Sequence, residues 1–148
     1  MRTLTTIPEQ LKTLDRVLFN GQVTGTGDSI GVQPTKGSNS ICILAIVTMA
    51  NAADLELTVQ TGDDADLTNA VDLADNVPIF VNDVREASDG IDYTFTDDDS
   101  VNTICFCVPS ILIPDGKFIG LTFGNSNDAN ILSALAIDDA YHESGQGE

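Results

Sequence analysis

A chain of 148 residues with 42% hydrophobic content has the length of one globular domain, and enough apolar material for a core without disulfide or metal staples. Its 23 acidic residues against 6 basic ones leave a formal net charge of −17, which excludes direct nucleic-acid binding, since that draws its affinity from Lys and Arg neutralising phosphates. The same shortage of cations disfavours anionic membrane surfaces, and no apolar run reaches membrane-spanning length.

Residues 1–18 differ in pattern from the rest of the chain. Ile7, Leu11, Leu14 and Leu18 recur at helical spacing, Thr6 and Glu9 stand at capping-box spacing, and Pro8 suits a first turn. The segment is expected to be an N-terminal arm or a short amphipathic helix. Its four-residue stripe is the candidate partner-binding surface, either on a neighbouring subunit or on its own domain. The start MRTLTTIPEQLK lacks the apolar stretch of a signal peptide, so synthesis in a reducing cytoplasm is expected.

From residue 17 the pattern is that of strands. Residues 17–24 and 28–33 flank a Gly-Thr-Gly turn, which is expected to close a hairpin. The glycine string 25–31 has neither the following helix nor the lysine that a phosphate-cradling loop needs. After a polar loop at 34–39, residues 40–49 (SICILAIVTM) are apolar on both faces, as a central strand requires. Residues 54–61 alternate strictly, with Leu55, Leu57 and Val59 opposed to Glu56, Thr58 and Gln60. The short connection 50–53 predicts that these two strands are antiparallel neighbours.

Further strands are expected at 70–73, at 77–84 with Pro78 marking an edge, and at 91–95. Residues 101–108 are again apolar on both faces and are placed centrally. Alternation at Ile119, Leu121 and Phe123, and the run 131–137, close the sheet. About eight strands at regular intervals, with no helical pattern after residue 18, predict an all-β fold: an antiparallel β-sandwich or jelly roll. The expected organisation is an arm at 1–18, a sandwich at 19–141 and a disordered tail at 142–148.

Chemistry is sparse. Asp63, Asp64 and Asp66 in one loop, and Asp97, Asp98 and Asp99 in another, would suit calcium if both loops met at one end of the sandwich. Asp63, Asp64, Asp66, Asp97 and Asp99 are therefore the metal-ligand candidates, against the plainer reading of solvated turns, and no metal is expected. Cys42, Cys105 and Cys107 fall inside apolar strands and are expected as small buried hydrophobes. The single histidine, His142, lies in the polar tail, where a catalytic base cannot be held rigidly. No catalytic residues and no cofactor are expected.

The stretch GDSIGVQPTKGSNSICILAIVTMANAADLELTVQTGDDADLTNAVDL, with FIGLTFGN and NILSALAID near the end, resembles the small β-sandwich proteins of tailed-phage virions, in particular head decoration or cement proteins. The resemblance is one of pattern and covers most of the chain after residue 18. It implies a non-enzymatic structural protein on the outside of a capsid, with the major capsid protein as partner, homo-oligomerisation, often as trimers, and no catalytic residues. Other readings are a phage tail or fibre module and a calcium-dependent carbohydrate-binding module.

Overall fold

The computed structural model describes residues 11–12 and 17–140. The strands are β1 (Leu11–Lys12), β2 (Val17–Val23), β3 (Asp28–Val32), β4 (Ser38–Met49), β5 (Leu55–Gly62) and β6 (Val71–Asp72). They continue with β7 (Ile79–Val81), β8 (Val84–Arg85), β9 (Asp92–Phe95), β10 (Ser100–Pro109), β11 (Phe118–Phe123) and β12 (Ile131–Ala140). A 3-10 turn, Ser110–Leu112, follows β10.

Two antiparallel sheets face each other. The seven-stranded sheet runs β1-β12-β4-β10-β7-β8, with β2 beside β1 along the same edge of β12. The five-stranded sheet runs β3-β11-β5, with β6 and β9 sharing the far edge of β5. The eight main strands of the sandwich are thus β2-β12-β4-β10 packed on β3-β11-β5-β9. Every connection between consecutive main strands crosses the sandwich, except the one from β5 to β9, which carries β6, β7 and β8 as an excursion. That connectivity is a jelly roll, so the all-β sandwich expectation holds.

The expected pairing of residues 40–49 with 54–61 does not. β4 lies between β10 and β12, with ten and nine residue pairs in register, and β5 lies in the opposite sheet. The same holds for the expected hairpin at 25–27: β2 pairs with β12, and β3 with β11. Residue pattern explains the sorting. Strands apolar on both faces, β4 and β10, find each other, whereas β5, whose outward positions are Glu56, Thr58 and Gln60, joins the sheet with a solvated outer face. β10 is central as expected, but β7 lies inside a two-residue edge, β8, rather than at the edge itself.

The core fills the space between the sheets. Ile41, Ile43 and Val47 of β4, Ile104, Phe106 and Val108 of β10, and Leu132 of β12 meet Leu55, Leu57, Val59, Ile119 and Leu121, all fully buried. Phe19 and Phe123 bridge the sheets edge to face, with ring centroids 5.2 Å apart.

One end is tied by a polar hub. Asn130, fully buried, accepts on Oδ1 from the N–H groups of Ala50 and Asn51, both at 2.9 Å. Its Nδ2 donates to the Ala53 carbonyl and to Ser126 Oγ. The backbone N–H and hydroxyl of Thr24, also buried, both donate to the Asn130 carbonyl. Three crossovers, β2 to β3, β4 to β5 and β11 to β12, are therefore fastened to one side chain and its backbone.

The described part of the N-terminal segment is extended: Leu11 and Lys12 pair with Asp139 and Asp138 of β12. Leu18 belongs to β2 and is buried in the sandwich core, so the sandwich begins no later than Val17 and the boundary at 18/19 falls inside a strand. Ile7 and Leu14 lie outside the described residues, as do His142 and the rest of 142–148.

Asn130→Ala leaves two part-buried N–H groups, of Ala50 and Asn51, without their acceptor and is expected to cost about 1–3 kcal/mol, whereas Leu18→Ala leaves a core cavity worth about 2–4 kcal/mol. Urea unfolding of both variants checks these values. Wild-type stability for Leu18→Ala would contradict its place in the core.

Candidate functional site

The outer faces of the two sheets differ in chemistry. On the five-stranded sheet the outward positions are Ser29, Thr58, Gln60, Thr94, Thr122 and their neighbours, with Glu56 and Asp92 among them. The β5–β6 loop folds back over this side, where Leu67 is buried against Gly31 and Gly62. A Cβ on Gly31 would come within 2.5 Å of the Leu67 side chain, which would have to shift to admit it.

The seven-stranded sheet presents apolar residues outward as well as inward. Val17, Leu135, Leu44, Cys105 and Phe80 stand in one row across β2, β12, β4, β10 and β7, by direct pairing. Ile137, Cys42 and Cys107 form the next row, and Ser133, Ile46 and Thr103 the row on the other side. β2, β4, β7 and β10 contain no charged residue, although 20% of the chain is charged. In β12 the charges are Asp138 and Asp139, and Asp138 is buried, with its Oδ2 accepting from the Thr35 N–H at 2.7 Å. Val17 and Ile46 are 55% and 49% exposed, more than an apolar side chain on a regular strand keeps when its face is covered. Beside them a recess of about 220 Å³ opens between Val17, Phe19, Leu44, Ile46 and Leu135, where register shifts disturb the pairing of β12 with β2.

The cysteines belong to this outer face and are not core residues, contrary to expectation. Their strand neighbours Ile41, Ile43, Ile104, Phe106 and Val108 point inward, so the period of two places Cys42, Cys105 and Cys107 outward, half-buried. Cys42 Sγ lies 3.7 Å from Cys107 Sγ, and Cys105 Sγ 3.9 Å from Cys107 Sγ. The Cys105 thiol is pushed well above its ordinary range by its contact with Cys42 and by burial, and Cys107 is raised by burial and by Cys42.

The acidic loops do not meet. Asp63, Asp64 and Asp66 follow the end of β5, whereas Asp97, Asp98 and Asp99 follow Phe95, which pairs with Leu55 at the start of β5. The eight residues of β5 hold them roughly 25 Å apart. Carboxylates in each loop are also engaged by neighbouring donors. Asp63 pairs with Lys117 and accepts from Asn69. Asp64 accepts from the Thr68 N–H, the Thr68 hydroxyl and the Asp66 N–H, and Asp98 accepts from the Asp99 N–H. Among the described residues no three carboxylates bring their oxygens within 4.8 Å of one another.

A larger groove of about 520 Å³ lies at one end, between the loop at Pro34 to Ser38 and the turn at Pro114 to Lys117. Lys36 and Lys117 line it, and Lys117 is engaged by Asp63. The sequence gives no sign of this groove, because its two walls are far apart in the chain and meet only through the sheet pairing. No protein-family profile, curated protein or solved structure matches the chain.

The Asp64 carboxyl is held below its ordinary value of 3.8, chiefly by the hydrogen bonds from Thr68. A lowered folded-state value contributes stability above the unfolded value and loses it as pH falls through the folded one. Asp64→Asn should therefore be less stable than wild type at neutral pH, and the gap should close below about pH 4. Denaturant midpoints measured from neutrality down to about pH 3 read this, and a gap independent of pH would contradict it.

Proposed function

We propose that this protein is a non-enzymatic virion structural protein that binds the outside of a capsid and stabilises it, with the outer face of the seven-stranded sheet as its contact surface. The observation that carries the reading is the outer face of β2, β12, β4, β10 and β7: largely apolar, with no charged side chain in its middle, on a molecule of net charge −17, and with Arg85 of β8 at its edge. Desolvating it costs little, and any carboxylate in its middle would have to be buried unpaired or excluded. The jelly-roll order and the resemblance of the strand pattern to capsid decoration proteins support the same reading. The apolar stripe at the N-terminus does not carry it, because Leu18 is in the core and Leu11 is on a strand paired within the domain.

The size of the face bears on how such binding would work. Five strands at about 4.8 Å and some eight residues at about 3.3 Å give roughly 600 Å², below the ~800 Å² per partner of a standard stable interface. One subunit alone would hold weakly. A homo-oligomer engaging several symmetry-related sites gains the remainder by avidity. The rest of the surface, acidic and hydrated, keeps neighbouring copies soluble.

Shells assembled from the cognate major capsid protein test the proposal. Wild-type protein should co-sediment to saturation, whereas Ile46→Asp and Val17→Asp should each weaken binding by about 10-fold or more, through burial of an unpaired charge. Thr94→Asp, on the opposite sheet, should bind as wild type. Failure of the wild type to co-sediment, or full binding by Ile46→Asp, would overturn the reading.

A further inference from the structure

We infer that Cys42, Cys105 and Cys107 form a three-thiolate site for a thiophilic d10 cation of the zinc(II) class, built on the two central strands of the seven-stranded sheet. Cys42 and Cys107 are directly opposite in the β4–β10 ladder, and Cys105 precedes Cys107 by one side-chain repeat on the same face. All three sulfur atoms lie within 4.8 Å of one another, with the pairs at 3.7 and 3.9 Å. A tetrahedral centre with bonds of about 2.3 Å requires its sulfurs about 3.8 Å apart. Two of the three separations already satisfy that, and the third is no longer than 4.8 Å. The scaffold beneath is rigid, since Ile41, Ile43, Ile104, Phe106 and Val108 on the reverse of the same strands are fully buried.

The chemistry of the donors selects the ligand. Three sulfurs, with no histidine or carboxylate joining the group among the described residues, favour soft cations over calcium or magnesium. The neighbours in the pairing, Ile137 beside Cys42, Leu44 and Phe80 on either side of Cys105, are apolar. In such surroundings a divalent cation leaves a residual charge of one on the trithiolate, whereas a monovalent one leaves two, so the divalent ion is the better fit. The half-exposed side of the cluster leaves the fourth position to water. A disulfide is a poorer account of the geometry, because it would draw one pair to about 2.05 Å and leave the third thiol unused.

Binding replaces three S–H bonds by three S–Zn bonds and releases three protons to solvent, with no change of oxidation state. Because the ligand thiols give up their protons on binding, affinity should rise with pH. The cluster lies within the face proposed to contact the capsid, and its test reads metal binding by the free protein, so failure of this inference and failure of the capsid reading are distinguishable.

The test uses the full-length protein, kept reduced and anaerobic, titrated with zinc(II) against a chromophoric chelator and separately with cobalt(II) as a spectroscopic probe. One equivalent per chain is expected, with thiolate-to-cobalt charge transfer and the visible bands of a four-coordinate ion. Cys42→Ser, Cys105→Ser and Cys107→Ser should each lower affinity by at least about 100-fold while circular dichroism remains that of wild type. A titration with copper(I) separates the charges: tighter retention of zinc supports the divalent assignment, and retention of copper(I) alone overturns it. No zinc beyond that held by the triple serine variant, or a cobalt spectrum without thiolate bands, would overturn the site itself.

Discussion

The side chain of Asn130 is the contact on which the architecture depends. A jelly roll requires consecutive strands to leave one sheet and enter the other, and each such corner exposes backbone groups that no ladder can satisfy. Here one buried amide uses both its acceptor and its donor capacity on the corner between β4 and β5, while its own backbone carbonyl receives Thr24 at the corner between β2 and β3. A hydrophobic residue of similar volume would fill the space and leave those groups unpaired. The crossings that look least determined by local sequence are thus fixed by a residue that belongs to a third one.

With the corners set, polarity distributes the strands. The sheet that receives β5 and β9 suits a solvated outer face, since its outward residues are hydroxyls, amides and carboxylates. The sheet that receives β4, β10 and β12 is left apolar on both sides. Its inward face is matched by the opposing sheet, and its outward face is matched by nothing among the described residues. Electrostatics sharpens the contrast: the carboxylates crowd into loops and the polar sheet, so repulsion between copies acts everywhere except across this one surface.

Much of this is legible in the sequence, for definite reasons. Alternation locates β5 and β11 nearly to the residue, and the double-faced runs locate β4 and β10 as central, because burial on a strand has a strict period of two. Which strand lies beside which is not legible, since the short link at 50–53 fits a hairpin or a corner equally well and Asn130, 77 to 80 residues away, decides between them. The cysteines escape a sequence reading for a related reason. In a run apolar on both faces, hydrophobicity no longer distinguishes inward from outward, and only the register of the partner strands does. The two acidic loops are visible in the sequence, but their separation by the length of β5 is not.

The position of β12 has a consequence for synthesis on the ribosome. It is the last strand described, yet it lies between β2, the first main strand, and β4. Until residue 140 has left the exit tunnel, β2 has no partner and β4 has one bare edge, so a nascent chain carries its greasiest segments with half their ladder missing. The sandwich is therefore completed only when β12 becomes available, and a product truncated before β12 would be a substrate for proteases or chaperones and not a smaller version of the same domain.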